Sequence, residues 1–144
     1  MRIREATDAD RTRLVAMGMR FIAETPYARF GASPQALEWI LRVVLEHGAA
    51  FVAEVDGRLV GMLAVIVAPH PLTGVAYADE IVWWVEPEYR AGMIGPRLLH
   101  TTEKWARTKG VPSIRMVAPA GSQVGRFYEH RGYEPIETSY LREL

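Results

Sequence analysis

Ile81 to Leu99 run IVWWVEPEYRAGMIGPRLL. Ile81 to Val85 are apolar on both faces, which suits a fully buried strand better than a half-exposed one. Pro87 cannot donate to a sheet ladder and ends that strand. Arg90-Ala91-Gly92-Met93-Ile94-Gly95 then forms a glycine-containing loop, and Pro96 opens a helix at a position that needs no amide hydrogen. A loop that feeds a helix N-terminus presents unpaired N–H groups and the positive end of the helix dipole. That arrangement suits a phosphate, to which Arg90 adds a positive charge.

The flanks extend the pattern. Arg2 to Ala6 read as a first strand. Thr7 is a candidate cap, with Asp8 and Asp10 in the first turn of a helix whose stripe is Leu14, Met17, Phe21 and Ile22 and which Pro26 ends. Ser33-Pro34 starts a second helix, with Leu37, Ile40, Leu41, Val44 and Leu45 at helical spacing and His47-Gly48 at its close. Ala50–Val55 and Leu59–Val67 are strands joined by Asp56-Gly57, a hairpin signal. Ala68 to Thr73 is a proline-bearing loop before a strand over Ala76–Val85. A helix follows over about Pro96 to Lys109, then a strand over Ile114–Ala118. Ser122 is the expected cap of a helix carrying Phe127 and Tyr128, and Tyr133–Leu141 is the expected last strand. The order β-α-α-β-β-β-α-β-α-β joins antiparallel hairpins to a strand–helix–strand unit, whose crossover makes parallel neighbours. It predicts an α/β (α+β) fold with a mixed, twisted central sheet of about six or seven strands flanked by about four helices.

The chain has 144 residues, the size of one domain over 1–144. Lys+Arg and Asp+Glu are both 17, which lends no support to a nucleic-acid partner or a polybasic membrane binder. With no cysteine, disulfide scaffolds, thiolate metal sites and cysteine nucleophiles are excluded. The charged start MRIREATDAD and the lack of a long apolar run point to a cytoplasmic protein with no membrane partner. The four histidines show no metal-ligand spacing, so no metal is expected. Four tryptophans and exposed strand ends are compatible with a homodimer.

The segment from Val85 to Leu99 resembles the acetyl-CoA loop of the GNAT N-acetyltransferase superfamily, in Val85, Pro87, Tyr89, Arg90, Gly95, Leu98 and Leu99. Met93 stands where the first of two motif glycines is expected, with Gly92 one position earlier. Phe127-Tyr128-Glu129-His130-Arg131-Gly132-Tyr133 looks like a second signature of the same family, although Gly121 stands where its members often carry an asparagine. The resemblance covers roughly residues 50 to 140 and implies a small, stand-alone member. It implies acetyl-CoA as co-substrate, held by the loop residues Arg90, Ala91, Gly92, Met93, Ile94, Gly95 and Arg97, with Ser122 and Tyr128 near it. It also implies that the strand backbone at Trp83, Trp84 and Val85 binds the pantetheine arm and polarises the thioester carbonyl.

In the family the tyrosine of the second signature often protonates the departing thiolate, a role that falls here on Tyr128. The alternative is an amphipathic core residue. Attack on the thioester needs a neutral amine, and a lysine-like amine with pKa near ~10.4 is almost all protonated at pH 7. Glu80, at the polar end of the strand before the loop, is the candidate base; the alternative is a solvated strand end that orients substrate. Strand alternation groups Glu80 with Val82 and Trp84 on one face. For the amine acceptor the candidates are Glu24, Tyr27 and Arg29 after the first helix, and His70, Tyr77 and Glu80 around the fourth strand. The leading expectation is direct acetyl transfer from acetyl-CoA to an amine. The alternative is a non-catalytic CoA-binding or protein-interaction module on the same fold.

Overall fold

A computed structural model describes all 144 residues. Strand β1 (Arg2–Glu5) leads through a short 3-10 turn (Asp8–Asp10) into helix α1 (Arg11–Ala23). A second 3-10 turn (Pro26–Phe30) precedes α2 (Pro34–His47), whose Ser33 hydroxyl accepts the Ala36 N–H as the capping pattern predicts. Strands β2 (Gly48–Val55), β3 (Arg58–Pro69) and β4 (Ala76–Val85) follow, then α3 (Ile94–Thr108), β5 (Ile114–Arg115) and α4 (Val124–His130).

The sheet order is β1-β2-β3-β4-β5, with every pair antiparallel except the parallel β4–β5. Asp56 and Gly57 both take positive φ, 49° and 75°, which matches a tight hairpin turn to the twist of its strands. Alternation on the strands sorts the core in two. Ala50, Val52, Met62 and Ala64 face α1 and α2, where Leu14, Met17, Leu41 and Val44 meet them. Phe51, Val60, Leu63 and Val65 lie on the other side, with Leu98 and Leu99 of α3 and Tyr128 of α4.

Three sequence expectations are corrected. The sheet has five strands rather than six or seven, because Tyr133–Leu141 forms no strand. Pro135 cannot donate to a ladder, β5 offers an edge of two residues, and Ile136, Tyr140 and Leu141 bury no apolar face that would drive pairing. Helix α3 begins at Ile94 instead of Pro96, which leaves the proline inside the first turn, where an absent amide still costs nothing. Thr7 and Asp10 begin a 3-10 turn rather than α1 itself.

Asp10 anchors β1 to α1. It is buried, accepts two guanidinium hydrogen bonds from Arg4 at 2.7 and 2.9 Å and one from Arg13 at 2.9 Å, and takes the Thr7 N–H at 2.9 Å. The Arg4 hydrogen bonds hold its carboxyl well below the usual carboxylate range against the opposing effect of burial. Its contribution is therefore present above about pH 4 and is lost as pH falls below that value. Removing one member of a buried ion pair strands the other, so Asp10→Ala is expected to lower the urea-unfolding free energy by about 3 kcal/mol at pH 7, a difference that shrinks as the pH is taken below 4. Leu63→Ala, deep under α3, should cost about 2–5 kcal/mol in the same measurement without changing the denaturant slope.

Candidate active site

The site is built on a departure from regular sheet geometry. Ala64 of β3 pairs with Val82, but Val65 pairs with Glu80, so Ile81 bulges out of the ladder. The alternation expected for β4 fails there. Ile81, Val82 and Trp84 belong to the α1–α2 side of the sheet, whereas Glu80 turns toward Val117 and Tyr128. This corrects the grouping of Glu80 with Val82 and Trp84, and no alternation rule applied to the sequence alone would have located the bulge.

β4 and β5 stay together for only two residues, Ala78 against Ile114 and Asp79 against Arg115. Arg115 clamps the junction by donating from Nε to Asp79 Oδ1 at 2.8 Å and from Nη2 to Asp79 Oδ2 at 3.0 Å. Beyond it no backbone pairing joins Ile81–Val85 to Met116–Ala118, and the strands part. The backbone of Val117 is tied by side chains instead of a strand. Its N–H donates to Glu80 Oε2 at 2.7 Å, and its carbonyl accepts the Tyr128 hydroxyl at 3.1 Å. Burial raises the Glu80 carboxyl to about 7 against the opposing pull of the Val117 N–H. Burial likewise pushes the Tyr128 phenol up, helped by the nearby Glu80 charge, so it stays protonated. The Tyr128 ring is fixed among Trp83 at 5.8 Å and Tyr133 at 5.3 Å between centroids.

The loop after β4 makes a 3-10 turn at Pro87–Tyr89 and then enters α3. The amides of Ala91, Met93, Ile94 and Gly95 make no hydrogen bond within the protein, whereas Gly92 N–H reaches Tyr89 O at 3.4 Å and Arg97 N–H reaches Met93 O at 3.0 Å. A Cβ at Gly95 would lie 3.2 Å from Trp83 Cζ2, so this helix start sits directly on the Trp83 indole. The indole N–H groups of Trp83 and Trp84 are buried without a partner. The Met93 side chain is exposed, as is Arg97. Arg90 differs from the expectation of a free phosphate-facing cation: its Nε donates to Val85 O at 2.8 Å, its guanidinium lies 4.6 Å from the Trp84 ring centroid, and Glu24 pairs with it at 3.0 Å. Ser122 does not cap α4. It lies in a turn in which its N–H bonds Pro119 O, and the helix starts two residues later at Val124.

The acceptor candidates do not form one cluster. Glu24 meets Arg90 at the C-terminal end of β4, and Tyr27 and Arg29 are exposed in the turn that follows α1. Tyr77 and His70 lie together at the other end of β4, 5.4 Å apart between rings, with the Tyr77 hydroxyl on Asp79 at 3.2 Å. Tyr77 and Val85 are about 26 Å apart along a strand of this rise. What the sequence reading missed is the Asp79–Arg115 clamp and the Val117 peptide. The Asp79-Glu80 pair at the polar start of β4 was the one signal for it.

The profile of the Acetyltransferase (GNAT) family matches residues 16–133. No curated protein matches the chain in sequence. Among solved structures, a protein from Pyrococcus furiosus described provisionally as an acetyl transferase superposes with TM-score 0.80 at 20% identity, covering 99% of both chains. A ribosomal-protein-alanine N-acetyltransferase from Brucella melitensis biovar Abortus 2308 gives 0.71 at 22% identity, over 100% of both. AAC(6')-Iy, in complex with the bisubstrate analogue CoA-S-monomethyl-acetylneamine, gives 0.79 at 17% identity, over 99% of this chain and 97% of its own. These likenesses fix the fold. Together with the profile, which spans most of the sequence, they place the chain in the GNAT family of acetyltransferases.

Proposed function

We propose that the protein transfers an acetyl group from acetyl-CoA directly to the nitrogen of an amine. The observation that carries this reading is the placement of a half-buried carboxyl raised to about 7 and a neutral phenol on the two sides of one peptide, Val117, where β4 and β5 part. A carboxyl raised toward neutrality and a phenol kept protonated, side by side at one peptide, are suited to act as base and acid.

Four unpaired amides at the start of α3, backed by exposed Arg97, offer donors to a pyrophosphate. The parted edges of β4 and β5 offer backbone groups to a pantetheine arm lying between them. Glu80 keeps one oxygen on Val117 N–H and has the other to accept a proton. The amine nitrogen attacks the thioester carbonyl carbon, its proton passes to Glu80 directly or through water, and the C–S bond breaks. The departing thiolate takes the Tyr128 proton. With no cysteine in the chain, transfer within a ternary complex is the simplest route. A positioned base contributes on the order of 10²–10⁴-fold.

Acetyl-CoA at about 100 times its dissociation constant should stabilise the fold by roughly 2.7 kcal/mol, read as a rise in Tm. CoA release with a panel of amines then separates an enzyme from a non-catalytic CoA-binding module, which would show the rise without release. An absent rise would remove both readings.

Activity should climb with pH through about 7 and level off as Glu80 deprotonates. Glu80→Gln is expected to abolish that limb and lower kcat by about 10²–10⁴-fold while keeping the acetyl-CoA rise in Tm. Tyr128→Phe should lower kcat with the same rise retained.

A stability signature accompanies the raised Glu80 carboxyl. The folded state holds this proton more tightly than the unfolded chain, so the fold loses stability as pH rises from about 4.5 to about 7. Glu80→Gln should therefore be more stable than the parent at pH 8, with the gap closing near pH 4.5 in urea titrations.

A further inference from the structure

Acetyl transfer does not by itself account for the hollow enclosed by α1, α2 and the sheet. Its volume is about 220 Å³, and apart from Gly18 every residue lining it is hydrophobic. The floor is Ala64 of β3 with Ile81 and Val82 of β4, and the walls include Phe21 of α1 and Leu37 and Ile40 of α2. No lining side chain carries a charge or a hydrogen-bonding group. A charged body placed there would lose its water with nothing in return, whereas a hydrocarbon would gain. Apolar cavities of somewhat smaller volume stay dry and accept benzene.

The position of the hollow matters as much as its chemistry. Ile81 is the bulged residue of β4, and its neighbour Glu80 holds Val117 at the opening. Ile81 and Val82 line the hollow directly after Glu80, and β4 has no partner on its β5 side past Asp79, so only the width of β4 separates the hollow from the proposed reacting groups. We infer that the hollow seats the apolar body of the acceptor: a primary amine bearing an aliphatic or aromatic group of about six to eight carbons, a size set by the volume of known apolar cavities. The hydrocarbon lies between α2 and β4, and the nitrogen emerges at the β4 edge. Small Ala64 on the floor makes the room that a leucine would fill. This inference rests on the acetyl-transfer reading and narrows its acceptor.

The test is a series of n-alkylamines from ethylamine to octylamine, with acetyl-CoA fixed and CoA release measured on the full chain. kcat/KM should rise about fourfold per methylene as far as hexylamine and then level, the slope expected for burying each CH2. n-Hexanol, which cannot be acetylated on nitrogen, should raise Tm in the absence of acetyl-CoA. Ala64→Leu should flatten the amine series and remove the hexanol shift; if that variant does not fold, the series on the parent protein decides. Equal kcat/KM for ethylamine and hexylamine overturns the inference and leaves acetyl transfer standing. A slope that appears along a series of acyl-CoA chain lengths instead, with the amine held constant, overturns it by assigning the hollow to the acyl group. No release with any amine and no acetyl-CoA shift overturns the underlying reading, and a hexanol shift in that case shows that the hollow binds hydrocarbon for another purpose.

Discussion

Everything at the site follows from β5 leaving β4 after two residues. Backbone amides and carbonyls in a sheet are obligatory hydrogen-bonding groups, and a strand that departs must find other partners for them. Here the Asp79–Arg115 pair secures the last paired residues. Past that point Val117 is satisfied by a carboxylate on one side and a phenol on the other. The groups that hold the strands apart are therefore the groups with acid–base character. Glu80 is partly withdrawn from water where it meets Val117, and that desolvation brings its carboxyl near neutrality. The bulge at Ile81 is the second half of the same device: a regular β4 would have carried Glu80 to the side of the sheet occupied by α1 and α2.

The loop after β4 is held by contacts made before it begins. Glu86, buried at the end of β4, accepts from Arg20 Nε of α1 at 3.0 Å and gives its own N–H to Val60 O. Arg90 is folded back onto Val85, Trp84 and Glu24. Glu24 and Arg90 are both substantially exposed, so their ion pair is worth little in stability, on the order of 1 kcal/mol or less. Its effect is one of position, since it keeps the Arg90 guanidinium at the end of β4 while the unpaired amides lie farther along. The donors left free at this helix start are therefore main-chain groups, whose directions are set by the fold and do not depend on a flexible side chain.

Patterns with a local physical cause were legible in the sequence. The α2 stripe and its Ser33 cap, the Asp56-Gly57 hairpin, the bounds of β4 and the strand–loop–helix passage from Ile81 to Leu99 all rest on spacing or turn chemistry. The choice of Glu80 and Tyr128 came through a family likeness and not through spacing; the structure brings both side chains to the Val117 peptide. What the sequence did not carry was non-local. The bulge depends on the register between β3 and β4. The short β5 depends on which side chain captures Val117. The missing last strand depends on an edge too brief to template it. Ser122 does not cap because it is held in the turn after Gly121, its N–H on Pro119 O, one residue ahead of the cap position that Gln123 takes.

Glu80 and Tyr128 also constrain each other. The Glu80 charge is one of the causes that raise the Tyr128 phenol, and burial acts on both in the same direction. An ionised Glu80 thus makes the phenol harder to deprotonate, and a protonated Glu80 makes it easier. In a transfer in which Glu80 gains a proton as the amine attacks, Tyr128 becomes a better donor when the thiolate leaves. The Val117 peptide that both groups grip keeps them on one opening through that exchange. In the proposed transfer the two groups need no third residue between them, because the Val117 peptide links them directly.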